Sequence, residues 1–305
     1  MRLLNASGCL DALAAPAVAR TLDAYVTKTV TPLAREGNAP VRIAETELGM
    51  LNAIGLANPG VDSFLAEHLP RLSELGVPLW VSVGGFALED YLRVSARVAE
   101  RSEVEALELN LSCPNVDEVP ENVGEVVAAV RAVTGKPIYA KLSAAVPDLG
   151  ATARAAEAAG ADGLSLVNTV KGLALDERTL QPVLARGAGG LSGPALRPIA
   201  LAAVHTCSRE TRLPIVGMGG VARGRHALEL LAAGAGDVAI GTALFSDPAA
   251  ARRIRGELEA ELAALGIVSA DNAVGLAHRS ADSTLDQRSR LLLEKPLHMG
   301  ANLPG

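Results

Sequence analysis

A few side chains in this 305-residue sequence have the type and spacing to do chemistry. Cys113 lies in LNLSCPN, three residues beyond Asn110. A loop thiol can act as base or nucleophile when its pKa is lowered or a partner takes its proton; otherwise a lone cysteine is a small apolar filler. Lys28 in AYVTK and Lys141 in IYAKL close two apolar runs. A long cation there can neutralise a carboxylate, a phosphate or a reduced ring anion. The glycine turns GMGG (217–220) and GT (241–242) would let backbone N–H groups approach a phosphate, although glycines also serve plain tight turns. Asn52 and Asn58 in MLNAIGLANPG offer amides that can pair with a planar heterocycle or build turns. Cys9 follows an SG turn, and Cys207 falls in LAAVHTC as a packed bystander.

These residues sit at matched points of a repeating pattern. AYVTK (24–28), LWVSV (79–83), ALELN (106–110), IYAKL (138–142), GLSLV (163–167), PIVGM (214–218) and DVAIG (237–241) read as buried strands, with Leu3–Ser7 as an eighth. Apolar runs of this length suit parallel strands covered on both faces. Helices are expected near 62–75, 88–100, 121–134, 148–159, 194–208, 223–233 and 249–265, with apolar residues recurring as at Val126, Val127, Val130 and Val133. The alternation predicts an α/β fold of the (β/α)8 TIM-barrel kind in one domain over 1–278, with 279–305 as a C-terminal tail or oligomer contact. A doubly wound open sheet is the runner-up. In a barrel, function collects at the C-terminal strand ends. Those are Ser7-Gly8, Lys28-Thr29, Ser82, Asn110, Lys141, Asn168-Thr169, Gly219-Gly220 and Gly241-Thr242. The segment Thr31–Gly60 is expected to be one long irregular loop, a length that is usually functional.

Composition excludes several classes. Apolar residues make up 49% and charged residues 20%, so the chain is not disordered by composition. A net charge of −6 and 2% aromatics argue against nucleic-acid binding. No membrane-length apolar run occurs, and MRLLNASG lacks a secretory n- and h-region. With three cysteines and no disulfide framework, a reducing cytoplasm is expected. No cysteine cluster could hold an iron–sulfur centre here. No paired histidine spacing points to zinc, so no metal is expected. The dinucleotide fingerprint G-x-G-x-x-G follows none of the expected strands.

Several blocks, read together, resemble class 1 dihydroorotate dehydrogenase: TKTVTPLAREGNAPVR (27–42), GMLNAIGLANPG (49–60), LELNLSCPN (107–115), YAKLS (139–143), GADGLSLVNTV (160–170), GGLSGPALRPIAL (189–201) and PIVGMGG (214–220). In detail they are similar to the NAD-linked, heteromeric subclass. The resemblance implies an FMN flavoprotein that oxidises dihydroorotate to orotate in UMP biosynthesis. Electrons would pass to NAD through a partner subunit carrying FAD and an iron–sulfur cluster, around a homodimer core. Carried over, Cys113 is the base that removes the C5 proton. Lys28, Asn52, Ala53, Ile54, Gly55, Leu56, Asn110, Asn115, Asn168 and Thr169 hold the pyrimidine. Ser7, Lys28, Thr29, Asn110, Lys141, Val167, Gly193, Gly219, Gly220, Gly241 and Thr242 hold FMN. A fumarate-linked enzyme, a dihydropyrimidine dehydrogenase-like oxidoreductase and a catalytically impaired homologue are the alternatives. Three departures from the family pattern stand out. The strand pair that usually covers the barrel bottom is missing or lies upstream. The loop after Cys113, NVDEVPENVGE, is short. Ser82 stands where asparagine is usual.

Overall fold

The computed structural model describes residues 1–111 and 122–279. Eight parallel strands form the barrel: β1 (Leu3–Asn5), β2 (Tyr25–Val26), β5 (Leu79–Val83), β6 (Val104–Asn110), β7 (Ile138–Leu142), β8 (Gly163–Leu166), β11 (Ile215–Met218) and β12 (Asp237–Ile240), joined in the order β1-β12-β11-β8-β7-β6-β5-β2. A parallel bridge between Leu4 and Ala24 closes the ring. Each strand foreseen in the sequence is present, so the open-sheet alternative falls. The expected helices are also present, among them Leu88–Ala99, Val123–Val133, Leu149–Ala158, Arg197–Glu210, Gly224–Ala233 and Ala250–Ala264. Asn122 and Asp148 cap two of them, accepting from Glu125 N and Ala151 N. The helix expected at 62–75 is broken by a π-turn, Phe64–His68, just before Pro70. Proline cannot donate to the preceding turn, and a wider turn relieves that mismatch.

The period-2 alternation sorts the strand side chains. Leu107, Leu109, Ile138, Ala140, Leu142, Leu164 and Leu166 point outward into the layer shared with the helices. Leu4, Ala24, Val26, Trp80, Ala106, Tyr139, Val216, Met218 and Ala239 fill the barrel interior. The end away from the mouth is plugged by polar and aromatic groups. Arg2 binds Asp237 and Glu105, each at 3.0 Å, and its guanidinium lies 5.0 Å over the Trp80 ring. Trp80 donates to Glu105 at 3.2 Å and its ring centroid lies 4.2 Å from that of Tyr139. Gly163 must lack a side chain, since a Cβ there would collide with the Tyr139 ring. Among the described residues, these groups pack across the barrel bottom.

The Thr31–Gly60 segment is not one irregular loop. It contains the hairpin β3 (Ile43–Thr46) and β4 (Gly49–Asn52), which joins β9 (Val170–Gly172) and β10 (Gly189–Ser192) in an antiparallel sheet ordered β3-β4-β10-β9. Its burial is shallow, exposed or intermediate along all of β3, so the sequence carries no clean apolar alternation there. Residues 280–305, most of the expected tail, lie outside the described residues.

Candidate active site

The barrel mouth holds a cavity of about 580 Å³, within the range of sites that enclose a cofactor-sized ligand. The strand ends converge on it as their positions require: Ser7, Gly8, Lys28, Thr29, Asn110, Lys141, Asn168, Thr169, Gly219, Gly220, Gly241 and Thr242 all line it, with Val167 and Gly193. From the end of β4 comes Asn52, and from the segment after it Ile54, Gly55 and Leu56.

Two expected members stand elsewhere. Ala53 is buried with Leu51 and Leu184 beneath the small sheet and does not reach the cavity, because its neighbours on the extended chain face the other way. Ser82 is fully buried under Thr29, whose Oγ1 lies 3.0 Å from its Oγ. Ser82 therefore acts on the mouth only through Thr29. Asn58 is consumed by its own loop: its Oδ1 accepts from Thr31 N and Gly60 N, and its Nδ2 donates to Thr31 Oγ1 and Leu56 O. It is a turn former, the plainer of its two sequence readings. Cys113 and Asn115 lie outside the described residues; β6 delivers the chain to them through Asn110 and Leu111.

A relay of amides and hydroxyls spans one wall. Asn168 Nδ2 donates to Asn110 Oδ1 at 3.0 Å, and Asn110 Nδ2 donates to Thr29 Oγ1 at 3.2 Å, which contacts Ser82. Side chains tied in series hold fixed rotamers, so the amides that line the cavity are preorganised. Lys141 is buried, with Nζ 3.3 Å from Glu108 Oε1. Lys28 packs over Gly8, where an added Cβ would sit 2.9 Å from its Cδ. Cys9 also lines the cavity; burial pushes its thiol pKa up, partly opposed by the charges of Lys141 and Lys28. Burial, then the charge of Glu210, pushes the Cys207 thiol up to about 12. Neither group is an activated thiolate.

The glycine turns follow on β11, the neighbour of β8, and on β12 beyond it. Gly219 and Gly220 adopt φ of +123° and +72°; a Cβ on Gly220 would sit 2.7 Å from Arg197 Cβ and 2.9 Å from Gly193 O. Thr242 donates to Ser192 at 2.9 Å and precedes the short helix Ala243–Ser246. Behind the turn, His226 Nε2 lies 3.1 Å from Arg223 Nε, and its Nδ1 lies 3.2 Å from Ala222 N and 3.0 Å from Gly220 O. Burial, then the charges of Arg197 and Arg223, holds His226 below the usual imidazole pKa. Sequence reasoning missed Ile43, Met50 and Ser192, which come from the small sheet, and Phe245 and Arg253, which follow the GT turn.

The donor set fits FMN. Glycine turns after the last two barrel strands suit a phosphate, the amide relay suits a planar ring edge, and two lysines offer positive charge beside it.

These features define a (β/α)8 barrel with a cation-bearing ligand cavity at its C-terminal strand ends. A family model, dihydroorotate dehydrogenase, matches residues 2–262, and the chain belongs to that family. The catalytic subunit of dihydroorotate dehydrogenase B (NAD(+)) from Anoxybacillus flavithermus is 48% identical over 252 residues, covering 80% of this chain and 81% of that one. The Shouchella clausii counterpart is 42% identical over 261 residues, covering 83% and 86%. The Listeria monocytogenes one is 45% identical over 255 residues, covering 81% and 84%. These relatives agree with the class 1, NAD-linked resemblance of the sequence blocks. In fold, the chain matches the crystal structure of the Eimeria tenella enzyme in complex with ferulenol, with a TM-score of 0.78 at 23% identity, over 91% of this chain and 85% of that one.

Proposed function

We propose that this chain is the FMN-bearing catalytic subunit of an NAD-linked dihydroorotate dehydrogenase, oxidising dihydroorotate to orotate for pyrimidine biosynthesis. The observation that carries the reading is the convergence, in one cavity, of Lys28, Lys141, the Asn168–Asn110–Thr29 relay and the Gly219-Gly220 and Gly241-Thr242 turns. Bound FMN would supply the acceptor for the hydride from C6 of the substrate. Every other role falls to the chain. Lys28 meets the substrate carboxylate. Asn52, Asn110, Asn115, Asn168 and Thr169 pair with the ring amides, and Ile54–Leu56 closes over them. Cys113 takes the C5 proton; with a reference thiol pKa of about 8.5, it needs a neighbour or tuning to do so. Ser7, Thr29, Val167, Gly193 and the glycine turns hold the flavin, and Lys141 lends it positive charge.

The words "catalytic subunit" in the relatives' names support a further element: a partner electron-transfer subunit carrying FAD and an iron–sulfur cluster, with NAD as final acceptor. The same names favour this over the fumarate-linked alternative. A homodimer core in the cytoplasm completes the reading. Among the described residues no helix is long and apolar enough to cross a membrane.

The test is a visible spectrum of the purified chain. It is expected to show flavin absorbance that bleaches when dihydroorotate is added without oxygen. A colourless protein that takes up no FMN refutes the reading, and a flavin bleached only by an uncharged dihydropyrimidine replaces the substrate.

A further inference from the structure

The barrel interior below the cavity carries a charge that the proposed chemistry does not use. Glu108 is the middle inward residue of β6, between Ala106 and Asn110, and is 1% exposed. It does not line the cavity, whereas Lys141, inward on the neighbouring β7, does. The two meet at 3.3 Å with side chains 1% and 7% exposed. Polar neighbours share their level. Ser82 is the register partner of Glu108, and Ser165 that of Lys141; the Ser165 hydroxyl is buried with no partner among the described residues. Barrel interiors are ordinarily packed with branched apolar residues. Burying an ion pair in place of such packing is at best neutral for stability. A polar level that the fold would do better without points to function.

We propose that Glu108 is a positioning residue for the redox step: it anchors the Lys141 ammonium at the cavity floor and, by its charge, limits how strongly that ammonium favours the reduced cofactor. The inference rests on the FMN reading and extends it. Hydride transfer delivers two electrons and one proton, and the reduced ring carries one negative charge if no second proton follows. An uncompensated buried lysine would stabilise that anion strongly, because a low dielectric magnifies the attraction, and would hold the electrons back from the next carrier. Paired with Glu108, Lys141 presents the positive end of a near-neutral couple instead. The carboxylate also fixes the ammonium in one place, so the field at the cavity floor needs no reorganisation during the reaction.

The test is the two-electron midpoint potential of the FMN-loaded protein, measured by equilibration with a reference dye. Glu108→Gln keeps the shape and removes the charge. The potential is expected to rise by at least a tenfold change in the reduced-to-oxidised ratio, about 30 mV for a two-electron couple. Glu108→Asp draws the carboxylate back from Lys141 and is expected to raise the potential less; it decides the matter if the glutamine variant does not fold or loses its flavin. Variants that retain FMN at the wild-type potential overturn the inference while leaving the functional reading intact. A wild-type chain that binds no FMN refutes that reading instead.

Discussion

Removing the Asn110 side chain should damage the fold and the site together, by an amount the geometry sets. Asn110 is 8% exposed and sits at the centre of the relay, accepting from Asn168 at 3.0 Å and donating to Thr29 at 3.2 Å. Asn110→Ala deletes both bonds, each worth about 0.5–1.5 kcal/mol net. Two compensations hold the cost down. Asn168 lines the cavity and can turn its amide to water, and Thr29 keeps Ser82 as a partner. A loss of about 2 kcal/mol is therefore expected, a drop in Tm of roughly 4–8 °C for a domain of this size. The substrate loses one amide contact as well, so orotate should bind about tenfold more weakly, a further ~1.4 kcal/mol. Thermal denaturation followed by circular dichroism, with an orotate titration followed by flavin difference absorbance, reads both. A Tm within about 1 °C of wild type together with unchanged orotate affinity would show that the relay neither supports the mouth nor meets the ligand.

Three other perturbations follow from the same geometry. Lys28→Ala removes a charge-assisted contact worth about 1.5–3 kcal/mol, so orotate affinity measured by flavin difference absorbance should fall between ~10- and ~150-fold; unchanged affinity would move the reading to a substrate without a carboxylate. Gly220→Ala must either distort a φ of +72° or push the new Cβ off Arg197 and Gly193. FMN dissociation followed by flavin fluorescence should speed up at least tenfold, against the ~0.4–1 kcal/mol that a glycine-to-alanine change contributes where it fits; equal retention would remove the turn from the phosphate site. His226 titrates below its unfolded value of about 6.5. On acidification the unfolded chain takes the proton first, so this contribution to stability is complete above that value and lost as pH falls below it. Tm measured from pH 8 to 5 should fall less steeply in His226→Asn than in wild type, with some slope left because His205 is also depressed, by burial and then by His278 and Arg209; parallel profiles would contradict the assignment.

The barrel was legible because buried parallel strands such as LWVSV and IYAKL announce themselves as short apolar runs, and their last residues then name the mouth. Lys28, Asn110, Lys141 and the glycine turns are found on the cavity for that reason. The small antiparallel sheet was not legible. Ile43–Thr46 is exposed or intermediate throughout, and β4 beside it pairs with β10 from residues 189–192, a distant pairing with no local trace. Ile43, Met50 and Ser192 were missed with it. Ala53 was carried into the site by its place in a motif, yet on an extended segment alternate residues face opposite ways, and Ala53 faces Leu184. Ser82 shows the same limit: a strand-end residue expected at the mouth proves to be the support beneath Thr29.

The account turns on the thiol at position 113 acting as base while the mouth holds the flavin. Anaerobic stopped-flow mixing of the FMN-loaded protein with dihydroorotate, monitored by loss of flavin absorbance, measures that step in a single turnover. Cys113→Ala is expected to slow flavin bleaching by at least a hundredfold, the low end of what a positioned general base contributes, while orotate still binds. Bleaching at the wild-type rate would contradict it.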